Sequence, residues 1–384
     1  NGLVNVYEVG TTTTKTVYTD PELTTSSVNP ASTHENGEME LYWTGKAKVV
    51  VTTSGLTPVL THESVSVLDG NSLLPESPEN FGAVGNGIED DTAAIAAMIA
   101  DGTNYRFVDG KTYRITSGFT KLANNICVDF GTATILCDFA SGGKAFAFGA
   151  ASDTPTYDGL TIKGGIFKLS NPSSAQNNTY IEVGGTKNVR ITGVQMNNVA
   201  NGGLVVLSGS EDGYIECDCF GHNGYSTLRG IWLNGATASD YASQLVDTSS
   251  ITRNATAVPQ YGVKRFTVAN SRVIDTSYGI YLINAHDCNV VDNYVDISGT
   301  ERNRCVAANN YSPNCTIKGN TLISDGSSTG VIVSQFSTGA RIEGNRFIGD
   351  FGGNRGVYVQ YLAEAIIQDN TFNTDTTQRI QIDM

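Results

Sequence analysis

Charge is scarce in this chain. Asp, Glu, Lys and Arg make up only 16% of the 384 residues, against 40% hydrophobic residues. That balance excludes both a disordered polyelectrolyte and a helical bundle laced with ion pairs. Cationic charge is scarcest: 24 Lys and Arg face 38 acids, a formal charge of −14, which repels nucleic-acid phosphates and anionic membrane surfaces. Long apolar runs are missing too, and no stretch approaches the roughly 18 apolar residues of a spanning helix. The seven Cys lack metal-type spacing. Cys217 and Cys219 stand two apart, which is expected on alternate faces of a strand and not in a zinc knuckle. Read as buried free thiols, they place folding in a reducing cytosol. No residue pattern calls for a metal or a cofactor, so neither is expected. The chain opens on Asn1 without an initiating Met, so its start carries no information about export.

Glycine is what the chain has in quantity, with 42 residues, and it suits many short strands separated by turns. Residues 1–68 read as a small β-rich domain. Leu3–Tyr7, Thr16–Tyr18 and Lys48–Val51 are expected strands, the run Gly10–Thr14 a loop and Asn36-Gly37 a tight turn. His34 and His62 are lone histidines without candidate partners. A linker at 69–80 carries Pro75 and Pro78.

The stretch Phe81-Gly82-Ala83-Val84-Gly85-Asn86-Gly87-Ile88-Glu89-Asp90-Asp91 opens the next region. Its glycines mark turns, and Asp90 is placed to cap a helix whose first turn holds Asp91. Ala94, Ile95, Met98 and Ile99 then recur at helical spacing. A nucleotide-binding loop is a poor reading, because no basic residue stands near to hold a phosphate. The better one is an amphipathic helix that caps the open end of the region behind it.

That region repeats. Aligning Ile191, Ile215, Val268, Val290, Ile317, Ile342 and Ile367 brings one phrase into register, with spacings of roughly 22 to 27 residues and one gap of about twice that. Each unit has a short strand, a turn residue (Asp218, Ser271, Asn293, Asn320, Asn345, Asn370) and a second apolar position. That position is filled by Met196, Phe220, Val273, Val295, Leu322, Phe347 and Phe372. A Gly-led strand completes the unit, as in Gly230-Ile231-Trp232-Leu233 and Gly279-Ile280-Tyr281-Leu282. Three short strands and no helix per unit predict an all-β fold, a single-stranded, right-handed parallel β-helix over 81–384 with like side chains stacked on like. The recurring Asn fits a structural ladder of identical turns, since Asn tolerates left-handed backbone. The double gap holds a polar insertion, 235–262, of the kind that projects from one face of a solenoid.

Phe81 to Ile95 resembles the opening motif of the pectate-lyase-like β-helices of bacteriophage tailspikes. The first domain is similar to the virion-attaching N-terminal domain of tail fibres and tailspikes. That likeness rests on Val6–Asp20, Leu23-Thr24-Thr25, Asn29-Pro30 and Asn36-Gly37. Cellular pectinase-like proteins share the cap motif, but the two motifs in this order are fairly specific. The resemblance implies a homotrimer on a phage tail, made in the host cytoplasm and acting at the bacterial surface. It implies partners in the tail through residues 1–68, and binding and cleavage of an O-antigen or capsular polysaccharide by endo-acting glycoside hydrolysis. Longer members continue into a C-terminal trimerising or carbohydrate-binding domain, whereas this chain stops at Met384. The rivals are a polysaccharide lyase, a non-catalytic receptor-binding spike, a tail adaptor and a cellular pectinase-like enzyme.

Hydrolysis of a glycosidic bond uses two carboxylates about 5 to 9 Å apart, so acids in the loops flanking the Gly-led strand are the candidates. Asp275 and Glu301 occupy corresponding loops of adjacent coils, and Asp247 lies in the insertion; these three are the expected catalytic acids. Arg302 and Arg304 beside Glu301, Asp240 in the insertion and Asp287 after His286 are expected to bind substrate. Trp232, Tyr281 and Tyr358 should point outward and stack on sugar rings. Blander readings compete at each place. Asp275 among Ser and Thr suits a turn former, Glu301 with Arg302 and Arg304 a solvated ion cluster, and His222 and His286 ordinary loop positions. Trp232 and Tyr281 would also serve beneath the insertion or against a neighbouring subunit.

Overall fold

The computed structural model describes residues 3–7, 12–20, 24–32, 41–43, 46–52, 58–66, 75–139, 143–152, 154–171, 178–199, 202–221, 229–235, 262–298, 304–326, 328–334, 337–351, 355–360, 363–373 and 380–383. They belong to two compact units, Asn1–Glu76 and Ser77–Met384. No described helix is long and apolar enough to cross a membrane.

In the first unit, Ala31–Ser32, Leu3–Tyr7, Lys46–Thr52 and Pro58–Ser66 form an antiparallel sheet in that order. Val6 and Val17 make its small core. Asn29 ties the turns to it, donating to Val6 O and Lys15 O and accepting from Val6 N–H at 3.0 Å. The expected strands at Leu3–Tyr7 and within Lys46–Thr52 are present, and Val17–Tyr18 pairs with Ser26–Ser27. The Asn36-Gly37 turn and His34 lie outside the described residues.

The second unit is a parallel β-helix. One wall is a ten-stranded sheet in which consecutive coils neighbour one another: Phe119–Lys121, Lys144–Gly149, Thr179–Gly184, Gly202–Leu207, Arg229–Asn234, Tyr278–Ile283, Arg304–Asn309, Thr329–Ser334, Val357–Gln360 and Ile380–Asp383. All are parallel, so each coil hydrogen-bonds to the next about 4.8 Å away. The rest of the coil stacks likewise. Ile191, Ile215, Val268, Val290, Ile317, Ile342 and Ile367 form one continuous column. Val273, Val295, Leu322, Phe347 and Phe372 form another. Both columns face the core of Val, Ile, Leu and Phe that fills the tube.

The expected alignment slips by one residue in a single coil. Cys219, not Phe220, stacks between Met196 and Val273, while Phe220 pairs with Ile274. Cys217 and Cys219 therefore both point into the core, with their Sγ atoms 4.0 Å apart. Residues two apart on a strand share a face, so the expectation of alternate faces is corrected. All seven Cys are free, and six are buried.

The Asn ladder is real and sits inside. Asn293 donates through Nδ2 to Asn320 Oδ1 at 2.9 Å and to Val268 O at 3.0 Å, and its backbone N–H reaches the same Oδ1. Asn320 repeats this toward Asn345, and Asn345 toward Asn370. Left-handed backbone is taken one residue earlier, by Asn270, Asp292, Gly319, Gly344 and Asp369. Each ladder Asn is thereby freed to turn its amide inward.

The helix Thr92–Asp101 closes the first coil, burying Ile95, Met98 and Ile99 against Tyr105, Phe107 and Tyr113. Its N-cap is Asp91, not the expected Asp90. The buried Asp91 carboxylate turns away to accept from Val84 N–H at 2.7 Å and from Gly85 N–H. Asp90 accepts from Thr92 N–H at 3.0 Å, so the two acids divide the work of joining turn to helix.

Candidate functional site

Glycine fixes where side chains of the ten-stranded sheet face. A Cβ on Gly230 would lie 2.4 Å from Val273 Cγ1, and one on Gly279 would lie 2.4 Å from Cys305 O. These glycines occupy the inner corner of the coil, where no side chain fits. The residue before each one is thrown outward, as is the residue two after it. Arg229, Tyr278, Arg304 and Thr329 form one outer column in register. Val205, Trp232, Tyr281, Ala307, Ile332, Tyr358 and Gln381 form the next. Trp232, Tyr281 and Tyr358 thus do lie on the outer face.

The two columns interlock. The Arg229 guanidinium carbon lies 4.1 Å from the Trp232 ring centre and 5.6 Å from those of Tyr278 and Tyr281. Arg304 lies 5.6 Å from the Tyr278 ring, and Arg355 lies 4.1 Å from that of Tyr358. Tyr278 and Tyr281 are 5.0 Å apart, and Trp232 and Tyr281 6.4 Å. With its amide turned to satisfy both groups, Asn309 accepts from Arg304 Nη1 at 3.0 Å and donates to Ser334 Oγ at 2.7 Å. Such stacking holds flat cations at fixed heights on the sheet.

Exposure divides the face. Trp232, Tyr281, Arg229 and Arg304 are half-buried. Ala307 and Ile332 are only 1% and 2% exposed, so they form a floor and not a contact surface. Tyr358 is nearly as buried, and it donates to Asp383 Oδ2 at 2.5 Å. That bond, with one from Gln381, holds the Asp383 carboxyl below the usual carboxylate range. Trp232 Nε1 and Asn234 Oδ1 are buried and find no hydrogen-bond partner among the described residues, a costly state in a protein interior.

Of the expected acids, Asp275 and Asp287 lie among the described residues. Glu301, Arg302, Asp240 and Asp247 lie outside the described residues. Asp275 sits in left-handed backbone (φ 56°) with its N–H on Asp296 O at 2.9 Å, the geometry of a turn former. Asp287 is left-handed as well, and accepts from Asn314 Nδ2 at 3.0 Å. These two acids flank opposite ends of the six-residue strand Tyr278–Ile283, about 20 Å apart at a strand's rise per residue. They cannot act on one glycosidic bond. Gly235 and Gly262, the ends of the insertion, touch: a Cβ on Gly235 would come 2.8 Å from Gly262 Cα. The insertion therefore leaves and re-enters the coil at one point, on the Asp287 side of the sheet.

One acid pair escaped the sequence reading. Asp325 and Asp350 are exposed and directly in register on adjacent coils, so their backbones are about 4.8 Å apart. They stand at the corner that leads into the ten-stranded sheet, the same corner that Asp275 occupies on an earlier coil. The signal was available, because each lies three residues beyond the aligned Leu322 and Phe347.

A family model described as a right-handed β-helix region matches residues 179–347, which settles the hand of the solenoid. No curated protein matches the sequence. Among solved structures, the Streptococcus pneumoniae surface protein and adhesin PfbA is similar at 12% identity and a TM-score of 0.50, over 81% of this chain and 100% of that one. The enzymatically active domain of tailspike protein 2 from bacteriophage CBA120 is similar at 14% identity and a TM-score of 0.47, over 87% of this chain and 48% of that one. The Dettilon tailspike protein is similar at 15% identity and a TM-score of 0.41, over 82% of this chain and 69% of that one. At 12% identity the likeness to PfbA speaks for the fold alone.

Proposed function

We propose that this chain is a tail-spike-type β-helix that grips a bacterial surface polysaccharide along the outer face of its ten-stranded sheet. The observation that carries the reading is the interlocked column of Arg229, Trp232, Tyr278, Tyr281 and Arg304 on a rigid wall. Aromatic faces and fixed guanidiniums are what sugar rings and their polar substituents bind. A parallel solenoid repeats them along an axis, as a polymer ligand requires. The resemblance of Phe81–Ile95 and of the first domain to phage tail proteins supports placing it on a virion, attached through residues 1–68 and trimeric.

The register of Asp325 and Asp350 favours a second step, cleavage. Backbones a strand spacing apart allow the two carboxylates to reach the separation of retaining hydrolysis, about 5 Å. The test is incubation with lipopolysaccharide or capsule from a panel of bacterial strains. Retention of polysaccharide by the wild type, and its loss in Trp232→Ala, is expected for binding. New reducing ends that vanish in Asp325→Asn and Asp350→Asn are expected for hydrolysis, whereas ultraviolet absorbance of an unsaturated product would mean elimination. Binding without product would leave a receptor-binding spike. Polysaccharide retained equally by Trp232→Ala would sink the site.

A further inference from the structure

Resting on that reading of the outer face, we infer that the polysaccharide is anionic, carrying carboxylate or phosphate groups along its length. The chain as a whole is strongly acidic, at −14, yet the middle of this face is the reverse, with Glu182 and Asp383 on strands toward its two ends. The six strands from Gly202–Leu207 to Val357–Gln360 contain no Asp or Glu. Over the same stretch the outer column reads Arg229, Tyr278, Arg304 and Thr329 in register. Arg355 follows one coil on, where its carbonyl accepts from Gly330 N–H.

A cation thus recurs at every second coil, about 10 Å apart, with an uncharged residue between. Each guanidinium lies against an aromatic ring of the same face, which fixes its plane and limits the entropy lost on binding. A planar fork held in this way matches carboxylate or phosphate oxygens in pairs, which a neutral sugar does not offer. Asp275, Asp325 and Asp350 stand on the corner turns and not on the sheet, while Asp383, on the last strand, accepts from Tyr358 and interacts with Arg355.

The experiment is a binding panel of purified bacterial capsular and O-antigen polysaccharides, grouped as neutral, uronate-bearing and phosphate-bearing, with the full chain as analyte. Polyglutamate serves as a non-sugar polyanion. Binding confined to anionic glycans is expected, weakened about tenfold by Arg304→Gln and by Arg229→Gln and by carboxyl reduction or dephosphorylation of the glycan, whichever applies. Arg304→Lys keeps the charge without the fork and should fall between. Equal binding of neutral glycans overturns this inference and leaves glycan binding standing; binding of no glycan overturns both. Equal binding of polyglutamate overturns the inference in favour of a general polyanion trap. If Arg304→Gln and Ile332→Asp dissociate an oligomer and leave glycan binding unchanged, the face is a contact between copies and the inference falls.

Discussion

At the scale of single residues, the buried amides carry the sharpest stability expectations. Asn320 sits in the middle of the ladder and is fully buried. It serves Asn293 through its oxygen, and Val290 O and Asn345 through its nitrogen. Asn320→Ala strands donors and acceptors on both neighbouring coils at once, and chemical denaturation should show a loss on the order of 1–3 kcal/mol. An equally buried apolar position without such partners would respond to lost packing alone. His286 gives a pH expectation. Burial, and the nearby Lys264, hold its imidazole pKa below the ordinary value, and Asn284 Oδ1 lies 2.7 Å from its Nε2. A depressed pKa means that the unfolded chain takes up the proton first. Stability from this group is therefore present above the unfolded value, about 6.5, and is lost as pH falls below it. Melting temperatures between pH 7 and pH 5 should fall more steeply in the wild type than in His286→Gln.

At the scale of elements, the capping helix and its turn form one device. The Asp91 carboxylate satisfies the buried N–H groups of Val84 and Gly85, while Ile95, Met98 and Ile99 seal the first coil. Solenoid ends must be covered if the stacked core is not to meet solvent. Asp91→Ala should lower stability by roughly 1–3 kcal/mol, and hydrogen exchange should report the loss first in Val84–Asp101. Asp91→Asn keeps an acceptor oxygen and should recover part of it. The helix was legible from the spacing of Ala94, Ile95, Met98 and Ile99, and Asp90 does supply a side-chain bond to its first turn, although the N-cap position itself falls one residue later, on Asp91. Two adjacent acids both satisfy the capping preference, and only the fold shows that Asp91 is needed elsewhere. The slip at Cys219 has a similar cause. Phe220 looks the better core residue by type, but register is dictated by neighbouring coils.

At the scale of the whole molecule, the repeat made the solenoid readable, because like residues at a fixed spacing must stack when each coil cannot bury its own face. Outward aromatics were readable for the same reason: alternation along a strand assigns sides. The arginine column was only half visible. Arg304 stood among the candidates, but Arg229 and Arg355 precede the corner glycines, where the bend of the chain breaks simple alternation and turns both outward. The acids were least legible. A loop Asp looks the same in sequence whether it shapes a turn, as Asp275 does, or stands stacked on its counterpart, as Asp325 does on Asp350.

Sugar lying along the outer face of the ten-stranded sheet is the claim on which the rest depends. A crystal structure of the protein soaked with an oligosaccharide, released from a polysaccharide that it binds, decides it. Density is expected along the coil axis over Trp232, Tyr278 and Tyr281, with acidic groups of the sugar at Arg229 and Arg304. Density on another wall of the solenoid, or this face closed against a second copy with sugar bound elsewhere, would contradict the claim.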